Sequence, residues 1–128
     1  MSRNYSQSTL KKLFSLSGNI CTFTECNSKI IDEFESVIGE ICHIEGENPT
    51  SARYNPDMSD DQRNSFENLM LLCPTHHTKI DKNQEFYSVS YLKDMKSSHE
   101  NNYKNNIYEI SSQVLDIVKV RSIPMNIL

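Results

Sequence analysis

Residues 67–81 read ENLMLLCPTHHTKID, a short apolar run that passes through a cysteine and a proline into a polar stretch carrying two adjacent histidines. LMLLC at 69–73 has the length and character of a buried strand, and Pro74 suits the turn that follows. Nothing in HHTKIDKN at 76–83 breaks a helix, so His77 and Asp81 fall at i and i+4 on one helical face. Upstream, VIGEICHI at 37–44 is a second short, β-branched apolar run, and the two runs read as one antiparallel pair with His43 near the end of the first strand. Residues 45–67 between them hold Pro49, Pro56 and many Asp, Ser and Asn, with a short helix expected from Asp60 to Phe66 behind a Ser59 cap. That connection is too long for a tight hairpin and has the look of a functional loop.

The flanks are helical. STLKKLFSLS at 8–17 places Leu10, Leu13, Phe14 and Leu16 at helical spacing behind a Ser8 or Thr9 cap, and Gly18 stops it. From about Ser90 to Val120 there is no Gly or Pro, and apolar residues recur every three or four positions, which predicts a long amphipathic helix with a break near Asn105-Asn106. The expected organisation is one domain over 1–104 and a helical extension over 105–128 that offers a contact to a partner or a second copy. A chain of 128 residues supports one core, and 37% hydrophobic with 23% charged residues excludes a disordered composition. No run approaches the roughly 20 apolar residues of a membrane span, and the polar start MSRNYSQST lacks a signal-peptide pattern, so a cytoplasmic protein is expected.

Four cysteines in such a protein stay reduced, and their neighbours are histidines. Cys21-x4-Cys26 and Cys73-x2-His76 form two short ligand pairs, the set that a closed tetrahedral structural zinc site requires. Cys42 is left over, and its simplest role is a small buried hydrophobe. His43, Asn68, His77 and Asp81 are a second group. Singly, each has a plain structural role, but His77 and Asp81 are spaced to share a divalent cation, and a neutral imidazole of pKa near ~6.5 is a natural general base.

GEICHI at 39–44 followed by ENLMLLCPTHHTKID at 67–81 resembles the HNH endonuclease family. The resemblance covers about residues 10–100. It implies an α+β fold, a ββα-metal finger of two strands and a helix, stapled by the zinc set and flanked by the N-terminal helix and the long C-terminal helical segment. It further implies that His43 is the general base, that Asn68 steadies the loop between the strands and thereby the base, and that His77 binds a catalytic Mg²⁺ or Mn²⁺. More narrowly, the form is similar to nuclease domains of bacterial anti-phage effectors, including those joined to a SAVED sensor in CBASS defence. One departure stands out: the position before the first histidine, often Asp or His in the family, is Cys42, and a thiolate suits Mg²⁺ poorly. The reading preferred here gives the second ligand role to Asp81 with Cys42 facing the core; Glu40 or Glu45 reaching the ion, or His77 alone with substrate and waters, are the alternatives.

The net charge of −4 does not favour nucleic acid, and residues 25–67 carry 11 acids against 3 bases. The acidic stretch is therefore expected to turn away from a duplex, with Lys79, Lys82, Lys11, Lys12, Arg53 and Arg63 as candidate phosphate contacts. No element offers an evident base-reading surface, so cleavage of DNA with little sequence specificity is expected, assisted by an activating sensor domain, protein partner or second copy. The competing expectations are a catalytically inactive zinc-stapled module and a nuclease acting on RNA.

Overall fold

The computed structural model describes residues 4–104. At its centre β1 (Glu40–His43) and β2 (Leu69–Leu72) pair antiparallel, with Glu40 opposite Leu72 and His43 opposite Leu69. The period of two in a strand sends alternate side chains to opposite faces, and here both faces are covered. Met70 and Leu72, with Cys42, Ile44, Ile80, Leu92 and Met95, form one core. Leu69 and Leu71 pack on the other side with Leu13, Ile30 and Ile41. All four β2 residues are consequently buried, which is why LMLL is apolar throughout rather than alternating.

β1 is shorter than the run VIGEICHI. The amides of Ile38 and Gly39 both donate to Ile30 O, at 2.8 and 3.0 Å, so the chain curls before the ladder begins, and Val37 and Ile38 stay exposed. The N-terminal helix α1 (Gln7–Ser15) begins earlier than expected, because Ser6 is the N-cap, its hydroxyl accepting from Thr9 N at 3.1 Å. Gly18 ends this segment at φ +64°, and a Cβ there would lie 2.1 Å from the Tyr103 ring, so the position needs glycine for both conformation and space.

In the long loop, α2 (Asp60–Arg63) is fixed by a capping box between Ser59 and Gln62 and is shorter than the expected helix. A 3-10 turn (Phe66–Asn68) then delivers the chain into β2. α3 (Pro74–Lys82) starts at Pro74 itself, with Cys73 as N-cap. A last helix, α4, spans 89–104 of the described residues and closes the first core with Leu92 and Met95. His99 Nε2 donates to Ser17 O at 2.7 Å, tying α4 to the end of α1. The continuation of this helix to Val120, its break near Asn105-Asn106 and the extension over 105–128 lie outside the described residues.

Candidate metal centres and active site

The first centre joins a knuckle to the start of α3. Cys21 N donates to Ser28 O at 2.8 Å and Cys26 N to Phe23 O at 3.0 Å, a tight fold in which Glu25 takes φ +64°. Thr22 N donates to Leu71 O at 2.9 Å, which pins the knuckle to β2. Cys73 stands at the end of β2 and His76 one turn into α3. His76 Nδ1 is 3.3 Å from Cys73 Sγ and 3.8 Å from Cys21 Sγ, and with Cys26 all four ligand atoms lie within 4.8 Å of one another. Tetrahedral bonds of about 2.0 to 2.3 Å set ligand atoms roughly 3.3 to 3.8 Å apart, so three sulfurs and one nitrogen could hold zinc after a small contraction.

The electrostatics agree with that chemistry. Burial pushes the Cys21 thiol up to about 12, so without a cation it stays protonated. Burial also works against the Cys26 thiolate, but hydrogen bonds from Ser28 and from the other two thiols outweigh it and lower that group. Burial, then the nearby Lys79 ammonium, lowers His76, keeping the imidazole neutral as a ligand must be. The Phe23 ring stacks on His76 at 4.0 Å and 4°, holding the ring plane.

One residue further along α3 the second centre begins. His77 Nε2 lies 3.2 Å from Asp81 Oδ2, while His77 Nδ1 is held by Glu40 Oε1 at 2.9 Å. The other Asp81 oxygen, Oδ1, accepts from Arg53 Nη2. Cys42, on β1, completes a set whose ligand atoms again lie within 4.8 Å of one another. Cys42 is buried in the core as expected, yet it also borders His77, a contact that the expectation of a purely apolar role missed. Hydrogen bonds to Asp81 and Cys42 outweigh burial and, with Glu40, push His77 up to about 11. Burial raises Asp81, but its bonds to His77 and Arg53 prevail and lower it. A proton thus stands where these acceptors converge on the imidazole, and a cation would satisfy the same acceptors.

His43, at the end of β1, shares a cavity of about 570 Å³ with His77, Asp81, Glu40, Glu47 and Tyr5. Its Nε2 is 3.2 Å from Asn64 Oδ1. With the amide oxygen accepting, Nε2 carries the proton and Nδ1 keeps a lone pair. Asn64 escaped the sequence reading because it sits in an aperiodic loop; its one signal is its place just after the capped α2. Asn68 is buried and makes three side-chain bonds: it accepts from Glu45 N at 2.9 Å and donates to Glu45 O at 3.0 Å and Arg63 O at 2.9 Å. Its own carbonyl accepts from Ile44 N at 2.8 Å. The residues that follow His43 are therefore clamped to those that precede β2. Glu45 is committed to this clamp and to Asn55.

Two expected phosphate contacts are corrected. Arg53 turns inward, its side chain only 4% exposed, donating to Ile44 O, Ile80 O and Tyr87 O as well as to Asp81. Arg63 is likewise buried, donating to Asp60, Tyr54 and Asn55 O and lying 4.8 Å over the Tyr54 ring. Guanidinium groups spent on backbone carbonyls are not open to phosphate. Lys11, Lys12, Lys79 and Lys82 are exposed, with the Lys79 ammonium 5.3 Å over the Phe23 ring and that of Lys12 4.3 Å over Phe66. The acidic stretch does not turn wholly away either: Glu40 and Glu47 line the cavity, where negative charge favours a cation.

Among the described residues no helix is long and apolar enough to cross a membrane. A search of curated proteins finds no match. A family model described as HNH endonuclease matches residues 20–84, just over half of the chain. The matched span runs from the cysteine knuckle through both strands to the end of α3 and takes in both clusters that could hold a metal ion. With the strand pair, α3 and the two clusters inside that match, the chain belongs to the HNH endonuclease family.

Proposed function

We propose that this protein is a divalent-metal-dependent endonuclease that hydrolyses DNA phosphodiester bonds with little sequence specificity. The observation that carries the reading is that His43 and the His77–Asp81 pair open onto one cavity. His43 is the general base: with Nε2 committed to Asn64, its other nitrogen takes a proton from water. That water attacks phosphorus in line, the P–O3′ bond breaks, and the leaving O3′ takes a proton from solvent water, which leaves 5′-phosphate and 3′-hydroxyl ends. A divalent cation on His77 and Asp81, Mg²⁺ or Mn²⁺ by the family resemblance, would supply Lewis-acid stabilisation of the charge that builds on the phosphate and the leaving oxygen. Asn68 positions the base through the clamp on Glu45. Zinc on Cys21, Cys26, Cys73 and His76 is structural.

Of the expected phosphate contacts, Lys79, Lys82, Lys11 and Lys12 are exposed and can approach the DNA backbone. A net charge of −4 gives weak solitary affinity, which suits a cytoplasmic anti-phage effector activated by a sensor domain, a protein partner or assembly of copies. Plasmid nicking by zinc-loaded protein with Mg²⁺ or Mn²⁺, compared with His43→Ala and with RNA in parallel, tests the reading. The variant should retain zinc and fold while losing about 100- to 10,000-fold in rate. Equal activity in the variant removes His43 from the role of base, preferential cutting of RNA moves the substrate, and no cutting by either protein with a supplied partner leaves a zinc-stapled module.

A further inference from the structure

Cys42 Sγ donates weakly to His43 O at 3.5 Å, and it also lies against His77 and Asp81, two oriented side chains of the cavity. His77 and Asp81 are each fixed from behind. Glu40 grips His77 Nδ1 and Arg53 grips Asp81 Oδ1, so that Nε2 and Oδ2 face each other 3.2 Å apart, the spacing of two ligand atoms on one ion. Outer partners that orient a histidine and a carboxylate in this way are what metal sites use to hold their ligands in register. The third atom at this convergence is sulfur. We propose that Cys42 is a protein ligand of the cation held by His77 and Asp81, and that its thiolate makes the centre select a first-row transition ion such as Zn²⁺ or Co²⁺ over Mg²⁺.

Charge balance favours this assignment. A thiolate and a carboxylate with one neutral imidazole match a divalent ion without residual charge, which a buried sulfur requires. Sulfur and imidazole together are soft donors that bind zinc and cobalt well and Mg²⁺ badly. Three protein ligands leave a further position open to the cavity that His43 shares, the arrangement of a catalytic rather than a closed structural centre. The inference rests on the nuclease reading for its purpose, but its test uses the metal alone.

The experiment is a Co²⁺ titration of protein already holding one zinc per chain, comparing wild type with Cys42→Ala and Cys42→Ser, each checked for an intact melting transition. Wild type should take up one further ion with a thiolate-to-cobalt charge-transfer band that a large excess of Mg²⁺ does not remove. Both variants should lose the band and bind cobalt weaker by at least the roughly 10- to 100-fold seen for loss of an outer partner. A band of equal strength in all three proteins arises from the other cysteine cluster and overturns the proposal, as does equal affinity. If the band is absent while wild type still nicks DNA and His43→Ala does not, the proposal fails and the nuclease stands. If cobalt binds through Cys42 and no metal supports cleavage, the ligand assignment stands and the nuclease reading fails.

Discussion

Replacing Asn68 by alanine tests whether the strand-joining clamp is as structural as its bonding suggests. Asn68 is 3% exposed, and its amide satisfies Glu45 N, Glu45 O and Arg63 O. Each bond contributes about 1 kcal/mol net, and a stranded buried donor such as Glu45 N–H costs somewhat more, so the loss is about 3 kcal/mol. At about 4 °C per kcal/mol for a domain of this size, the melting temperature of zinc-loaded protein should fall by about 12 °C. Asn68→Asp keeps an acceptor for Glu45 N–H but sets a carboxylate against two carbonyl oxygens, and should recover none of that loss at neutral pH. The assay is thermal unfolding followed by circular dichroism, with zinc content measured on the same samples. A fall below about 3 °C with zinc retained would refute the clamp, because the three bonds would then be replaced by water at no cost.

Stripping zinc with a chelator, or replacing Cys73 by serine, should abolish the cooperative melt, since metal binding to the four-ligand set is folding free energy in so small a domain; a sharp transition at the same temperature would speak against it. With His77 at about 11, cation uptake at neutral pH must displace its proton, so apparent affinity should rise about tenfold per pH unit in Cys42→Ala and more steeply in wild type, where the buried Cys42 thiol also gives up a proton; a flat profile in both between about pH 6.5 and 8.5 would show that His77 is not a ligand. In protein holding only the structural zinc the sign is reversed: the raised His77 value means its ionic contribution is complete below its ordinary 6.5 and is lost as pH rises through about 11, so His77→Ala should flatten that limb of stability against pH. Arg53→Lys cannot reproduce a fork that reaches three carbonyls and Asp81, and should lower the melting temperature by about 8 °C, from about 2 kcal/mol of lost bonds, while leaving zinc bound.

The strands and α3 were legible because their signals are local: an apolar run, a proline, and two ligand pairs at short spacing. LMLL and HHTKID carry those signals almost to the residue. The failures cluster in the 45–67 loop, where no period exists and side-chain direction follows from tertiary bonds. Arg53 reads as a surface charge, yet a left-handed backbone at φ +57° turns it beneath the cavity to hold Ile44, Ile80 and Tyr87 carbonyls. Asn64 carries no motif at all, and only the fold brings it across 21 residues to His43. The hydrophobicity of Cys42 accounts for its burial and is silent about the imidazole beside it.

The two adjacent histidines of α3 explain how the two ligand clusters occur side by side. Neighbouring positions on an α-helix point about 100° apart, so His76 can enter the cysteine cluster while His77 faces β1 and the cavity. A helix of nine residues has too few turns to fix its own rotation in water. Its orientation comes from its contacts: Cys73 and His76 at the first turn, Ile80 in the core, and Arg53 on Asp81 at the last. A rotation of α3 that loosened His76 would swing His77 and Asp81 by the same angle, away from Glu40 and Cys42. The Cys21–Cys26–Cys73–His76 cluster therefore sets the geometry of the Cys42–His77–Asp81 cluster through the helix that the two share.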